Sequence, residues 1–362
     1  MSSYLKARVT LDRGNDFQLR VDCDIPLQGV TAIYGPSGSG KTSFLYCLAG
    51  LLQAEQGSEL VAGDRIWQQG DTILATHQRR IGFVFQDSQL FPHLSVAGNL
   101  SYAEQRQSGN SGPTREQVVQ WLQLENLLQR DIHQLSRGQQ QRVAIGRALL
   151  SAPDILLLDE PLANIDLASR TQILNHLEQL QRDINLPIIY ISHDMEELAR
   201  LADWLLVMEA GRITAAGPML ELCSRMELAI AHEEQAAAIV TASVSGHDAQ
   251  YGLSELQLEG QPLYVPAVSS KPGSTMRLRI PARDVSICLQ APLETSILNI
   301  IKATITEIEA SDSPRLLLRL QIGEQFLLAR LTRKSIDTLQ LRTGDTVYAQ
   351  VKSVALLTEI HD

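Results

Sequence analysis

The sequence is poor in cysteine: Cys23, Cys47, Cys223 and Cys288 are the only four in 362 residues, far apart and without a CxxC pair. That excludes a disulfide framework and a thiolate zinc site as organising devices, and it points to a reducing compartment. No apolar run approaches the roughly 20 residues that cross a bilayer, and the opening MSSYLKARVT lacks the basic-then-apolar order of a secretory signal. A role at a membrane would need a partner to supply the span. Basic charge is scarce too, 31 Lys and Arg against 41 Asp and Glu for a formal net charge of -10. General affinity for nucleic acid requires a basic field that displaces counterions from phosphates, so it is excluded, whereas a local phosphate site is not.

A hydrophobic content of 44% and a charged content of 20% are those of an ordinary soluble protein. The length exceeds what one core supports and predicts two domains or three. Over the first 220 or so residues, short apolar runs alternate with helical patterns: VTAIY (30–34), IGFVF (81–85), ILLLD (155–159), PIIYIS (187–192) and WLLVM (204–208) read as buried strands. Ile173, Leu177, Leu180 and Ile184 recur at helical spacing and mark one face of a helix between two of them. The pattern is that of an α/β sheet. From Glu221 to Ala238 the chain is rich in Ala, Glu and Met, and a helix leading into a linker is predicted. Beyond it, short alternating segments with Gly and Pro turns predict a small all-β unit. That unit repeats itself: 272–287 resembles 343–356 and 254–265 resembles 317–329, which two five-stranded barrel-like lobes or chance similarity between β-rich segments would each explain.

GPSGSGKT (35–42) fits the P-loop pattern and stands between a predicted strand and a helix, the context that distinguishes it from an ordinary Gly/Ser loop. Gly35, Pro36, Ser37, Gly38, Ser39 and Gly40 would bring backbone N–H groups and a helix N-terminus up to phosphates; Lys41 would reach the β and γ phosphates of ATP, and Thr42 would ligate Mg2+. ILLLDE ends a buried strand on two carboxylates: Asp159 is expected to coordinate Mg2+ and Glu160 to orient or deprotonate the attacking water. Strand-end acids are commonly solvated caps, and it is the P-loop that gives these two their meaning.

LSRGQQQR (135–142), just before ILLLDE, resembles the LSGGQ signature of ABC-transporter ATPases. FQD, LANID and ISHD stand where that family has its Q-loop, D-loop and switch histidine, so five motifs follow the family's order. The resemblance implies that Gln86 senses Mg2+ and the attacking water, that Asp166 serves the D-loop, and that His193 meets the γ phosphate. It implies a homodimer in which Ser136, Gly138 and Gln139 of one subunit close on ATP held by the other. By similarity to importer ATPases, Leu90, Phe91, Pro92 and His93 are exposed and form a groove for a permease helix; for Phe91, burial in the helical subdomain is an equal alternative.

Among importers, FQDSQLFPHLSVAGNLSY, RLRIPARDVSICL and TSILNIIKATI stand close to the pattern of bacterial molybdenum import ATPases, and the tail resembles a Mop domain. The expected fold is an α/β P-loop NTPase with a helical subdomain over 1–233, a linker and first β lobe over 234–290, and a small all-β, OB-like Mop/TOBE domain over 291–362. The resemblance implies an ATPase that powers molybdate uptake from the cytoplasmic face of the bacterial inner membrane, as a peripheral homodimer. Its implied partners are integral-membrane permease subunits and a periplasmic or extracellular molybdate-binding protein, with no nucleic acid. By position, Ser296, Lys352 and Ser353 would hold molybdate or tungstate, unless the tail only dimerises or regulates. Another cargo (sulfate, a sugar or a polyamine), a non-transport ABC protein acting on DNA or ribosomes, and an oxyanion sensor with a silent ATPase are the alternatives; a single P-loop and the absence of a long heptad run oppose the second, and intact Lys41, Glu160 and His193 oppose the third. The sequence departs from the family pattern at Arg137, at Asn164 and Ile165, and in lacking an aromatic ahead of the P-loop at the usual adenine position, where Phe17 is a substitute.

Overall fold

A computed structural model describes residues 3–12, 14, 17–107, 112–352 and 354–360. The chain divides into two compact units, Met1–Gly217 and Pro218–Asp362.

In the first unit, β1 (Tyr4–Asp12) and β2 (Gln18–Pro26) alternate buried and exposed residues and pair antiparallel. With β4 (Glu59–Ala62), β5 (Arg65–Gln69) and β6 (Thr72–Ile73) they form a sheet in the order β2-β1-β4-β5-β6. A second sheet holds β3 (Val30–Tyr34), β7 (Ile81–Val84), β8 (Ile155–Asp159), β9 (Ile188–Ile191), β10 (Trp204–Glu209) and β11 (Arg212–Pro218) in the order β11-β10-β3-β9-β8-β7. From β10 to β7 the pairs are parallel. The strands β3, β8 and β9 are buried at every position, which is why they read as unbroken apolar runs. Helices α1 (Lys41–Ala49), α2 (Val96–Glu104), α3 (Arg115–Trp121), α4 (Arg137–Leu150), α5 (Leu167–Asp183) and α6 (Met195–Leu201) complete the unit. Ile173, Leu177 and Leu180 are buried along α5 as the periodicity predicted, while Ile184 is its C-cap.

Helix α1 is held at both ends by unlike devices. Its N-cap is Gly40, with no side-chain cap and no acid in the first turn, so its leading N–H groups are left for a ligand. At the other end Arg79, 2% exposed, donates through Nη1 to the carbonyls of Cys47 and Leu48 at 2.8 Å each and through Nε to Leu74 O at 3.2 Å. The helix has no basic residue in its own last turn, and this guanidinium from outside complements the negative end of its dipole.

The second unit starts earlier than the composition suggested. The predicted helix and linker over 221–238 are two short helices, α7 (Met219–Leu222) and α8 (Ala229–His232), followed at once by strand β12 (Ala237–Asp248). Met226 and Ala231 are buried in the core of the β-rich unit, so this stretch packs with the tail rather than with the ATP-binding part, and the expected boundary at 233 moves to 217. The remaining strands are β13 (Leu253–Leu258), β14 (Gln261–Pro266), β15 (Thr275–Pro281), β16 (Val285–Cys288), β17 (Asn299–Ile308), β18 (Arg315–Ile322), β19 (Gln325–Thr332), β20 (Thr346–Val351) and β21 (Ala355–Ile360), with helix α9 (Arg333–Leu339) after β19.

Two five-stranded sheets result, β14-β13-β12-β15-β21 and β16-β20-β17-β18-β19. Each half of the tail supplies four strands to its own sheet and lends its fifth to the other: β16 pairs with β20, and β21 pairs with β15. The repeat seen in the sequence is therefore a pair of lobes with exchanged edge strands. Matching glutamines staple the lobes. Gln325, first in β19, accepts from Thr241 N at 2.7 Å and donates to Thr241 O at 2.9 Å; Gln261, first in β14, does the same with Lys302 N at 2.8 Å and Lys302 O at 3.0 Å. Asn299 bridges Tyr264 N and O in the same manner.

Candidate active site

The P-loop follows β3, Gln86 follows β7, Glu160 follows β8 and His193 follows β9. These four strands are neighbours and run parallel, so the residues after their C-terminal ends gather on one edge of the sheet. An open cleft of about 470 Å³ there is lined by Phe17, Ser37, Gly38, Gly40, Lys41, Thr42, Ser43, Gln86 and Glu160.

Gly38 and Gly40 have φ of 81° and 102°, which L side chains rarely adopt, and a Cβ on Gly35 would run into the carbonyl of Met208. The Lys41 ammonium, 6% exposed, donates to Gly35 O at 2.7 Å and Pro36 O at 3.0 Å. Burial lowers its pKa, opposed by Glu160 and then Asp159. Thr42 Oγ1 donates to Asp159 Oδ1 at 3.1 Å. Burial raises the Asp159 pKa, against the Thr42 hydrogen bond that lowers it. Glu160 turns away from the strand at φ 44°, a strained position for a residue with a side chain, and its Oε2 lies 3.3 Å from His193 Nδ1. Register explains this approach: Asp159 pairs with Ile191, and Glu160 N donates to Ile191 O at 3.0 Å. His193 itself is exposed.

These residues fit a nucleotide triphosphate and a hard divalent cation. The bare N-terminus of α1, the open space over Gly38 and the Ser39 hydroxyl, buried with no hydrogen-bond partner among the described residues, suit phosphate oxygens. Thr42, Asp159 and Gln86 offer only oxygen ligands to Mg2+. Among the described residues no cluster of three or more His, Cys, Asp or Glu could hold a metal.

Ser136, Gly138 and Gln139 do not line the cleft. Ser136 is the N-cap of α4, accepting from Gln139 N at 3.3 Å, while Gln139 Oε1 accepts from Ser136 N at 3.0 Å. This capping box was legible as S-x-x-Q and fixes both side chains, yet the serine proton stays free to donate. Asp166 caps α5 by accepting from Ser169 N at 3.0 Å, and that hydrogen bond lowers its pKa. A Cβ on Gly138 would lie 2.7 Å from Ser169 Cβ, so the starts of α4 and α5 touch. Arg137 is exposed, Asn164 has φ 60° and Ile165 is buried.

Phe17 lines the cleft wall. Leu90 and Phe91, expected to be exposed, are half-buried: Phe91 packs on Tyr102 with ring centroids 4.4 Å apart, and Pro92 and His93 are the exposed pair. Asn99, which the sequence did not single out, holds their loop by accepting from Phe91 N at 2.9 Å and donating to Phe91 O and Ser95 O at 3.1 Å each. In the tail, Asn299 pairs with Val351, which brings Ser296, just before β17, to the same end of the sheet as Lys352, just after β20; both are exposed. Ser353 lies outside the described residues.

The parallel sheet, the glycine-lined loop and the two strand-end carboxylates define a P-loop ATPase of the ATP-binding cassette class. Residues 19–163 match the ABC transporter family and residues 295–357 the TOBE domain. The molybdenum import ATP-binding protein ModC of Hahella chejuensis is 44% identical over 99% of this chain and 100% of its own length. That of Rhodobacter capsulatus is 44% identical over 95% and 96%. The chain belongs to this family, the molybdenum import ATP-binding proteins. Solved structures resemble about three fifths of the chain. Those similar to it include cbiO1 from Clostridium perfringens, part of the ABC transporter complex cbiONQ (TM-score 0.53, 25% identity, 62% of this chain and 92% of that one). A dimeric ATP-binding cassette in a post-hydrolysis state bound to ADP and Pi is similar too (TM-score 0.51, 27% identity, 60% and 98%). The α/β P-loop fold with a β-rich tail, and the ATPase activity, are thereby borne out. No helix among the described residues is long and apolar enough to cross a membrane.

Proposed function

We propose that this chain hydrolyses ATP to drive molybdate uptake. It works as a peripheral homodimer on the cytoplasmic face of the bacterial inner membrane, against permease subunits fed by a periplasmic or extracellular molybdate-binding protein. The observation that carries the engine is the convergence of Lys41, Thr42, Gln86 and Glu160 on one cleft, with His193 against Glu160. The molybdate assignment is supported by the relatives' names over nearly the full length.

ATP binding transfers Lys41 from the Gly35 and Pro36 carbonyls to β and γ phosphate oxygens, while the N-terminus of α1 takes up the charge. Mg2+, held by Thr42, Asp159 and Gln86, would neutralise charge between the β and γ phosphates. Glu160 orients the attacking water and accepts its proton, and His193 donates to the γ phosphate. Ser136, Gly138 and Gln139 lie away from their own chain's cleft, which supports their service to ATP on a second copy. An acid-free helix start on α4 suits that task. Phe91 and Asn99 shape a loop whose exposed Pro92 and His93 would meet the permease.

Glu160→Gln tests the engine: it should bind ATP and dimerise yet lose nearly all turnover, and unchanged hydrolysis would sink the assignment. The tail is proposed to bind molybdate or tungstate at Ser296, Lys352 and Ser353. Calorimetry on the full chain with molybdate, tungstate and sulfate should give heat with the first two alone; no heat removes the tail site and leaves the engine standing.

A further inference from the structure

Behind His193 lies a buried polar cluster that neither lines the cleft nor touches the P-loop. Its centre is Glu197 of α6, 4% exposed. Tyr190 Oη donates to Glu197 Oε2 at 2.9 Å, and Ser192 Oγ donates to the same oxygen at 2.7 Å. Ser192 Oγ also accepts from Asp194 N at 3.0 Å. One carboxylate oxygen therefore holds Tyr190 and Ser192 ahead of residue 193 and reaches Asp194 beyond it through the Ser192 hydroxyl. The other oxygen faces Arg170 Nε at 3.5 Å, and Arg170 Nη1 donates to Asp194 Oδ2 at 2.8 Å. Arg170 follows Ser169, the residue that the Asp166 cap holds and that Gly138 abuts.

A buried carboxylate is costly unless its hydrogen bonds and charge are met, and an apolar side chain would fill the same volume at less cost. Here the partners are the end of β9 at Tyr190, the loop after it that carries His193, and the helix that starts at the D-loop. With the His193 side chain 66% exposed, the reach of the imidazole toward Glu160 and a γ phosphate depends on the backbone beneath it.

We propose that Glu197 is a positioning residue for ATP hydrolysis: through Tyr190 and Ser192 it fixes the backbone that aims His193, and through Arg170 it ties that aim to the start of α5. The proposal rests on the assignment of His193 to the γ phosphate, and the test separates the two.

Turnover is measured on the full chain for Glu197→Gln, His193→Ala and the double variant, with Ser192→Ala as a second way to release the loop should Glu197→Gln fail to fold. Glu197→Gln keeps the shape but weakens the hold on Ser192, Tyr190 and Arg170. Its kcat should fall about 10- to 100-fold, as misplaced reacting groups do, with KM for ATP within about threefold because the P-loop is untouched. In the His193→Ala background the same substitution should cost no more than about twofold, since the group it positions is gone. An equal loss in both backgrounds, or a kcat within about twofold of wild type for both Glu197→Gln and Ser192→Ala, overturns the proposal. Unchanged turnover in His193→Ala overturns the histidine assignment on which it stands.

Discussion

Replacing Arg79 with Met tests how the P-loop helix is anchored. The substitution removes hydrogen bonds from a charged donor to Cys47 O and Leu48 O, each 2.8 Å, and a longer one to Leu74 O at 3.2 Å. Methionine fills much of the volume, so the loss is polar rather than steric. Leu48 O and the half-buried Leu74 O lose their donor, at about 1–3 kcal/mol for a buried carbonyl left unmet and roughly 3 kcal/mol for the two together, while Cys47 O keeps Gly50 N–H at 3.1 Å. The net expectation is about 3 kcal/mol, equivalent to a fall of about 6–12 °C in Tm for a unit of this size. Thermal and urea unfolding followed by tryptophan fluorescence is the assay, because Trp67, Trp121 and Trp204 all lie in the first unit and the tail is silent. Arg79→Lys should recover only part, since one ammonium lacks the planar fork that spans two adjacent carbonyls. A Met variant within about 1 kcal/mol of wild type would refute the reasoning and show that those carbonyls find water.

Gly138→Ala should press Ser169 Cβ, 2.7 Å from the new methyl, and part the starts of α4 and α5. Overpacking of about 1–3 kcal/mol is offset by about 1 kcal/mol of helix propensity, so stability falls by no more than about 2 kcal/mol while turnover drops, and Ser169→Gly should restore turnover. A Gly138→Ala protein with full turnover would dissociate that contact from catalysis. The His176 imidazole, buried on α5, is pushed down to about 4 by burial and then by Arg142. It is neutral when folded and protonates only at an acidity the unfolded chain does not need, so its contribution is complete above the ordinary histidine pKa of about 6.5 and is lost as pH falls toward about 4. Between pH 7 and pH 5 the first unit should lose up to about 2 kcal/mol by urea titration, and His176→Gln should lose measurably less; equal losses would place the sensitivity elsewhere.

The strands of the parallel sheet were legible because burial on both faces leaves nothing but apolar residues in VTAIY and ILLLD. The cleft was legible because phosphate binding constrains local backbone, and glycines at 38 and 40 announce it. The antiparallel sheet of the first unit left a weaker trace, the alternation of β1 and β2, which short apolar runs nearby overshadow. Glu197 could not be found: in DMEELAR it reads as one more acid in the first turn of a helix, where the dipole welcomes it. Only the fold turns that carboxylate inward onto Tyr190 and Ser192. Likewise the tail's strands announced themselves, but a strand's choice of neighbour is made by distant chain, and no local pattern encodes it.

The exchange of β16 and β21 bears on how the tail comes into being. The first lobe is incomplete until β21, Ala355–Ile360, has been synthesised and laid beside β15. The second needs β16, which is made before any of its other strands. Nascent chain emerging from the ribosome can fold the ATP-binding unit first and complete the second lobe once β20 is made, while the first lobe still waits for β21. A fragment trimmed to 295–357, the stretch that matches the TOBE domain, starts after β16 and so leaves β20 with a bare edge open to pairing with another chain.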